Sequence, residues 1–131
     1  MGTGKTSVGR ELARSIGYDF VDTDKMIEKQ VGMSIREVFE RDGEPNFREI
    51  ERGVIRGMAD IQSSVIATGG GVIVDNDNLE SLRKTGIMIC LKATPEVIMN
   101  RTEGNLERPL LVNKDKLGEI KRLLEIREPY Y

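Results

Sequence analysis

Apolar residues recur along this chain at helical spacing in some stretches and in short continuous runs in others, and the alternation predicts helices separated by strands. Lys5–Ile16 places Val8, Leu12 and Ile16 on one helical face and stops at Gly17, a natural C-terminal cap. Residues 18–21 then read as a short strand, and 25–31 as a second helix ended by Gly32. Ser34 with Glu37 forms a capping box for a helix to about Asp42; Pro45 and Asn46 open another that carries Phe47, Ile50, Val54 and Met58. Ser64–Ala67 reads as a buried strand running into Thr68 and three glycines. Residues 87–91 read as another, entering a helix capped by Thr94 with Pro95 at its first position. The segment 104–113 is polar and reads as a mobile loop. Leu117, Ile120 and Leu124 line a final helix, with Arg127 near that face one turn later. Strands alternating with helices imply a parallel sheet.

Composition narrows the class without naming it. The chain has 131 residues, enough for one domain with a hydrophobic core and no disulfide staples. Its 20 basic and 22 acidic residues create no field that would announce a nucleic acid or an anionic membrane. Cys90 is the single cysteine and histidine is absent, so an intramolecular disulfide is excluded and a Cys/His zinc site has one ligand where it needs three or four. Any general base must be a carboxylate, a lysine or a tyrosine. Cys90 falls inside the apolar run 87–91, where a buried structural thiol is expected. No signal peptide precedes the first motif and no apolar run reaches membrane-spanning length, so a soluble cytoplasmic protein is expected.

The candidate chemistry starts at the N-terminus. Gly2, Thr3, Gly4, Lys5, Thr6 and Ser7 carry most of the phosphate-binding pattern G-x-x-x-x-G-K-[ST], and the chain begins after its first glycine. Glycines let backbone N–H groups curl around an anion, and the helix that follows aims its positive end at it. Lys5 suits the β- and γ-phosphates as a point charge, and the Thr6 hydroxyl is a hard oxygen ligand for Mg²⁺. A flexible glycine-rich start ahead of an ordinary helix is the plainer alternative. Residues 22–24 and 68–71 fall, like the phosphate loop, at the carboxyl ends of strands, where α/β sheets bind ligands. Asp22 and Asp24 lie two residues apart, so an extended backbone would point both the same way. One could serve a metal and the other an acceptor hydroxyl; alternatively Asp24 merely caps the next helix. Three successive glycines, Gly69, Gly70 and Gly71, imply a close backbone approach or a tight turn. Arg48 and Arg127 on separate helices suit a carboxylate, though an arginine on a helix is commonly a solvated surface residue.

Six segments bring a resemblance. Gly2-Thr3-Gly4-Lys5-Thr6-Ser7, Asp22-Thr23-Asp24, Phe47-Arg48-Glu49-Ile50-Glu51, Ala67-Thr68-Gly69-Gly70-Gly71, Arg108-Pro109-Leu110-Leu111 and Arg127-Glu128-Pro129-Tyr130-Tyr131 occur in that order. The ordered set resembles the shikimate kinase family over essentially the whole chain. That resemblance implies an α/β fold of the P-loop kinase type, a three-layer αβα sandwich with a parallel sheet of order 2-3-1-4-5, whose first and last strands are absent from this sequence. The gap would leave Ser64–Ala67 and 87–91 without a shared neighbour. It implies a single domain over 1–131 with a substrate-binding helical subdomain at about 32–60 and a lid at about 104–113. The implied activity is transfer of the γ-phosphate of ATP to the 3-hydroxyl of shikimate, on the route to chorismate and the aromatic amino acids. ATP is then the co-substrate and Mg²⁺ the cofactor of a cytoplasmic monomer without nucleic-acid or membrane partners.

The resemblance also assigns roles. Gly2 to Ser7 would hold the ATP phosphates, Thr6 would ligate Mg²⁺, and Asp22 would support the ion's water shell. Asp24 would orient or deprotonate the acceptor hydroxyl. Arg48 and Arg127 would clamp the shikimate carboxylate, Glu51 would hold Arg48, and Gly69, Gly70 and Gly71 would line the ring with Phe39 and Phe47. Arg108 would close over the transferring phosphates, with Lys5 and Asp24 as its catalytic companions, and Arg101 would lie beside the adenine. A gluconate kinase-like enzyme of the same general fold and a non-catalytic nucleotide-binding module remain open at this point.

Overall fold

The computed structural model describes residues 2–58, 60–102 and 115–131. Helix α1 (Lys5–Ile16) begins at Gly4 and ends at Gly17, whose N–H reaches the Ala13 carbonyl. Gly4 is in the left-handed region at φ 97°, a conformation that costs a glycine little and lets the loop swing directly into the helix. Strand β1 (Asp19–Asp22) pairs in parallel with β2 (Ser64–Ala67), in a register that sets Asp19 beside Ser64 and Asp22 beside Ala67. The two strands therefore deliver their following loops to the same edge. Helix α1 lies close over this pair, because Gly9 has no side chain: a Cβ there would sit 2.8 Å from Phe20 Cε2.

Helix α2 (Thr23–Val31) starts directly from β1. Asp22 is its N-cap, accepting from the Asp24 and Lys25 N–H groups, and Gly32 closes it. This corrects two sequence readings. The helix begins at Thr23 rather than at 25, and Asp22 supplies the cap that Asp24 was a candidate for. Asp22 and Asp24 consequently do not share a face of an extended strand; Asp24 lies in the first helical turn.

Helix α3 (Ile35–Arg56) carries the expected capping box of Ser34 and Glu37. Its backbone leaves helical geometry at Gly43 (φ 78°, ψ 170°), just before Pro45, so it is two helices joined across a kink, as the sequence divides them. A one-turn 3₁₀ segment (Val72–Val74) and α4 (Asn76–Thr85) follow β2. The core between these elements contains Ile27, Val38, Phe47, Val54 and Met58, with Val21 and Ile66 of the sheet packed on it. Each such fully buried side chain contributes roughly 1.5–3 kcal/mol. A second cluster, Ile98, Ile120 and Leu123, joins α5 (Pro95–Thr102) to α6 (Lys116–Arg127), and a 3₁₀ turn (Glu128–Tyr130) ends the chain.

The expected strand at 87–91 does not form among the described residues. Ile87 is 94% and Ile89 68% exposed, and the sheet consists of β1 and β2. Cys90 is exposed as well, contrary to the buried thiol read from its apolar neighbours. An apolar run is buried only where a partner covers it, and none of the described elements pairs with this backbone. No helix among the described residues is long and apolar enough to cross a membrane.

Candidate active site

The phosphate loop and the end of β1 form one half of the site. Gly2 and Gly4 both have positive φ, so the backbone curls ahead of α1, and the buried Thr3 hydroxyl has no hydrogen-bond partner among the described residues. Arg101 of α5 donates from Nη1 to the Thr3 carbonyl at 3.1 Å, bringing a guanidinium onto the outside of the loop. Lys5, Thr6 and Ser7 occupy the first turn of α1, where N–H groups lack helical partners and an anion is favoured. Thr6 Oγ1 donates to Asp22 Oδ2 at 3.0 Å. A hydroxyl and a carboxylate, both hard oxygen donors, thus lie side by side at the loop's mouth. Among the described residues no cluster of three His, Cys, Asp or Glu could hold a metal alone. The donor set therefore fits an ion that keeps water and phosphate ligands, as Mg²⁺ does.

The other half is built by α2, α3 and the loop after β2. Thr23, fully buried, accepts the Gly69 N–H at 3.1 Å, which ties the start of α2 to the glycine segment. Gly69 and Gly71 are required by close approach and not by unusual backbone angles. A Cβ on Gly69 would lie 2.7 Å from Asp24 Oδ1 and 3.0 Å from Glu51 Oε1. A Cβ on Gly71 would lie 2.5 Å from Arg48 Nη1 and 2.8 Å from both Cζ and Nη2, so the guanidinium lies close against this backbone. Gly70, between them, is half-buried. Phe39 and Phe47 pack at 4.7 Å between ring centroids, and the Arg48 guanidinium lies 5.2 Å over Phe47.

Charge holds this half in place. Arg48 Nη1 donates to Glu51 Oε2 at 2.7 Å, while Nη2 donates to Glu44 Oε1 at 2.7 Å and Nε at 3.2 Å. Glu51 is 1% exposed, and burial pushes its carboxyl above the ordinary range. The Arg48 charge opposes that shift without cancelling it, and the Asp24 and Asp75 carboxylates add to it. For Arg48 itself, burial works against the charged form, but Glu51 and Glu44 outweigh it and raise the pKa. The site is thus a buried acid and a half-buried base locked together beside Asp24.

Arg127 stands apart from this network. It ends α6, is 7% exposed, and its side chain makes no hydrogen bond or ion pair with another described residue. A guanidinium so placed retains its donors for something else, since a buried charge without a partner is costly. Arg108, and the lid assigned to 104–113, lie outside the described residues. Two residues of the site escaped the sequence reading. Glu44 could have been found from its i, i+4 spacing to Arg48; Thr23 carried no signal beyond its place between two aspartates.

Comparison with known proteins decides what this arrangement belongs to. The shikimate kinase family model matches residues 1–131. The chain belongs to the shikimate kinase family. It is 47% identical over 131 residues to the shikimate kinase of Caldanaerobacter subterraneus subsp. tengcongensis, covering all of this chain and 77% of that one. Against the shikimate kinase of Thermodesulfovibrio yellowstonii the identity is 46%, with 76% of the relative covered. Among solved structures, the shikimate kinase from Acinetobacter baumannii in complex with shikimate superposes with a TM-score of 0.97 at 40% identity, over all of this chain and 73% of that one. The fold is accordingly the αβα arrangement of P-loop kinases, with a parallel sheet of β1 and β2 among the described residues.

Proposed function

We propose that this shikimate kinase transfers the γ-phosphate of ATP to the 3-hydroxyl of shikimate, giving shikimate 3-phosphate and ADP. The observation that carries the residue roles is the clamp at the glycine segment. Arg48 lies close against Gly71, and Asp24 and Glu51 meet at Gly69. A guanidinium, a carboxylate and close backbone within one pocket suit an acceptor that has both a carboxylate and a hydroxyl.

In this reading the phosphate loop from Gly2 to Ser7 binds the ATP phosphates, with Lys5 neutralising charge on the transferring group. Mg²⁺ would be held by Thr6 Oγ1 with Asp22 supporting its waters, and it supplies charge neutralisation for the β- and γ-oxygens. Arg101, which donates to the Thr3 carbonyl of the loop, is the residue assigned to the adenine. Arg48 takes the acceptor carboxylate and Arg127 joins it from α6. Phe39 and Phe47 bound the ring, within a helical subdomain of residues 32–60. Asp24 orients the 3-hydroxyl and accepts its proton as the oxygen bonds to phosphorus and the bond to the ADP oxygen breaks. Phosphoryl transfer through a loose transition state depends on positioning and charge more than on a strong base, so one aspartate suffices. Arg108 is the further cation assigned to the phosphates. The protein would work as a cytoplasmic monomer on these two small molecules.

The test is ADP release from ATP and Mg²⁺, on protein of verified mass, with shikimate, with gluconate and with neither. Release that depends on shikimate is the expected outcome. Release with gluconate instead would move the chain to a different acceptor, and ATP binding without release would make it a nucleotide-binding module.

A further inference from the structure

Arg48 already carries two carboxylates, and they are not equivalent. Glu51 lies three residues on, at 1% exposure, where it cannot leave without opening the core. Glu44 is one residue past the kink at Gly43, its side chain 52% exposed, and a single oxygen of it takes both Nε and Nη2. Those two nitrogens are the side-on fork of a guanidinium, the edge that presents two parallel N–H groups to an incoming carboxylate. Beside Gly71 there is little room for another approach, because its backbone lies close against the guanidinium. Around Arg48 there are thus four acidic side chains, Glu44 and Glu51 on its own nitrogens and Asp24 and Asp75 close enough to Glu51 to raise its pKa. A further anion meets repulsion from all of them unless one withdraws, and only Glu44 has solvent to withdraw into.

We propose that Glu44 is a built-in competitor for the acceptor's carboxylate. It holds the fork of Arg48 that shikimate uses, and it must be displaced for the acceptor to bind. Glu44 therefore weakens acceptor binding and leaves the transfer step untouched. It makes occupancy depend on an acceptor that can replace one carboxylate by another. The proposal rests on the reading of Arg48 as the carboxylate clamp.

The test is the KM and kcat of the full chain and of Glu44→Gln, with shikimate and with an analogue whose carboxylate is replaced by a carboxamide. Glu44→Gln should lower the shikimate KM about two- to fivefold, the range set by a partly exposed ion pair. The kcat, the ATP KM and the KM of the carboxamide should stay at the wild-type values. An unchanged shikimate KM overturns the proposal, and so does a raised one, which would make Glu44 a strut for Arg48. Glu44→Ala should repeat the fall, because the charge and not the amide is at issue. Arg48→Lys, run alongside, separates the two levels. If it leaves the shikimate KM unchanged, the clamp reading itself fails. If it raises the KM while Glu44→Gln does not lower it, only the competitor is lost.

Discussion

Arg48 and Arg52 stand one turn apart on α3, each holding two carboxylates, and their surroundings make them opposites. Arg52 binds Glu49 on its own helix and Asp75 across to α4 at 2.8 Å. Asp75 is at once the N-cap of α4, accepting from the Asp77 and Asn78 N–H groups, so every bond it makes favours its charged form. The Arg52 guanidinium first of all holds its carboxyl below the ordinary range; burial opposes this, and those N–H groups add to the lowering. Glu51 beside Arg48 is pushed the other way by burial despite an equally short ion pair. The Arg52 cluster is a staple between helices. The Arg48 cluster keeps charge out of water at a cost in stability, which is what a site for a charged acceptor requires.

The strongest way to break this contrast is to delete each guanidinium. Arg48→Ala should raise the shikimate KM by about 100-fold, on the scale of roughly 1.5–3 kcal/mol for each hydrogen bond between charged groups. Arg52→Ala should leave that KM within about twofold, since it contacts α4 and not the glycine segment. Steady-state kinetics at saturating ATP reads both. Equal effects would mean that the two clusters serve one purpose.

The same helix and its facing loop offer a gentler pair. Gly71→Ala adds a Cβ that would sit 2.5 Å from Arg48 Nη1, so the guanidinium must move off its bonds to Glu44 and Glu51. A displacement near 1 Å is costly in a positioned site, and the shikimate KM should rise about tenfold. Gly53→Ala, on the exposed side of α3 with nothing within 4 Å, should stabilise the fold by about 0.5–1 kcal/mol in a denaturant titration and leave kinetics unchanged. A tolerated Gly71→Ala would show that the close stacking of Arg48 is incidental.

How far the chain could be read without coordinates follows the range of the interactions concerned. The caps at Gly17 and Gly32, the box of Ser34 and Glu37 and the break before Pro45 were legible because each depends on residues within one turn. The pairing of Glu51 with Arg48, three residues apart, came with the family resemblance and is present. Burial at 87–91 was misread because it depends on a neighbour that no local pattern encodes. The orientation of Asp22 and Asp24 was misread for a related reason: period-two alternation holds only while the backbone stays extended, and β1 turns into α2 between them. Which side chains Gly69 and Gly71 make room for was invisible, because Asp24, Glu51 and Arg48 reach them from other elements.

The smallest effect distinguishes the two clusters by pH. Glu51 binds its proton more tightly in the folded protein, so its contribution to stability is full below its unfolded value near 4.5 and is lost as pH rises through the higher folded value. Asp75 binds its proton less tightly when folded, so its contribution is present above an unfolded value near 3.8 and is lost as pH falls through the lower folded one. Unfolding free energies measured across this range should therefore change in opposite places. Glu51→Gln should remove part of the decline above pH 4.5 and Asp75→Asn part of the decline below 3.8. High salt should shrink the Asp75 difference, whose partners reach solvent, and spare the Glu51 one. If both substitutions flattened the acid limb alone, Glu51 would be a stabilised carboxylate like Asp75, and the distinction between a staple and a site would not survive.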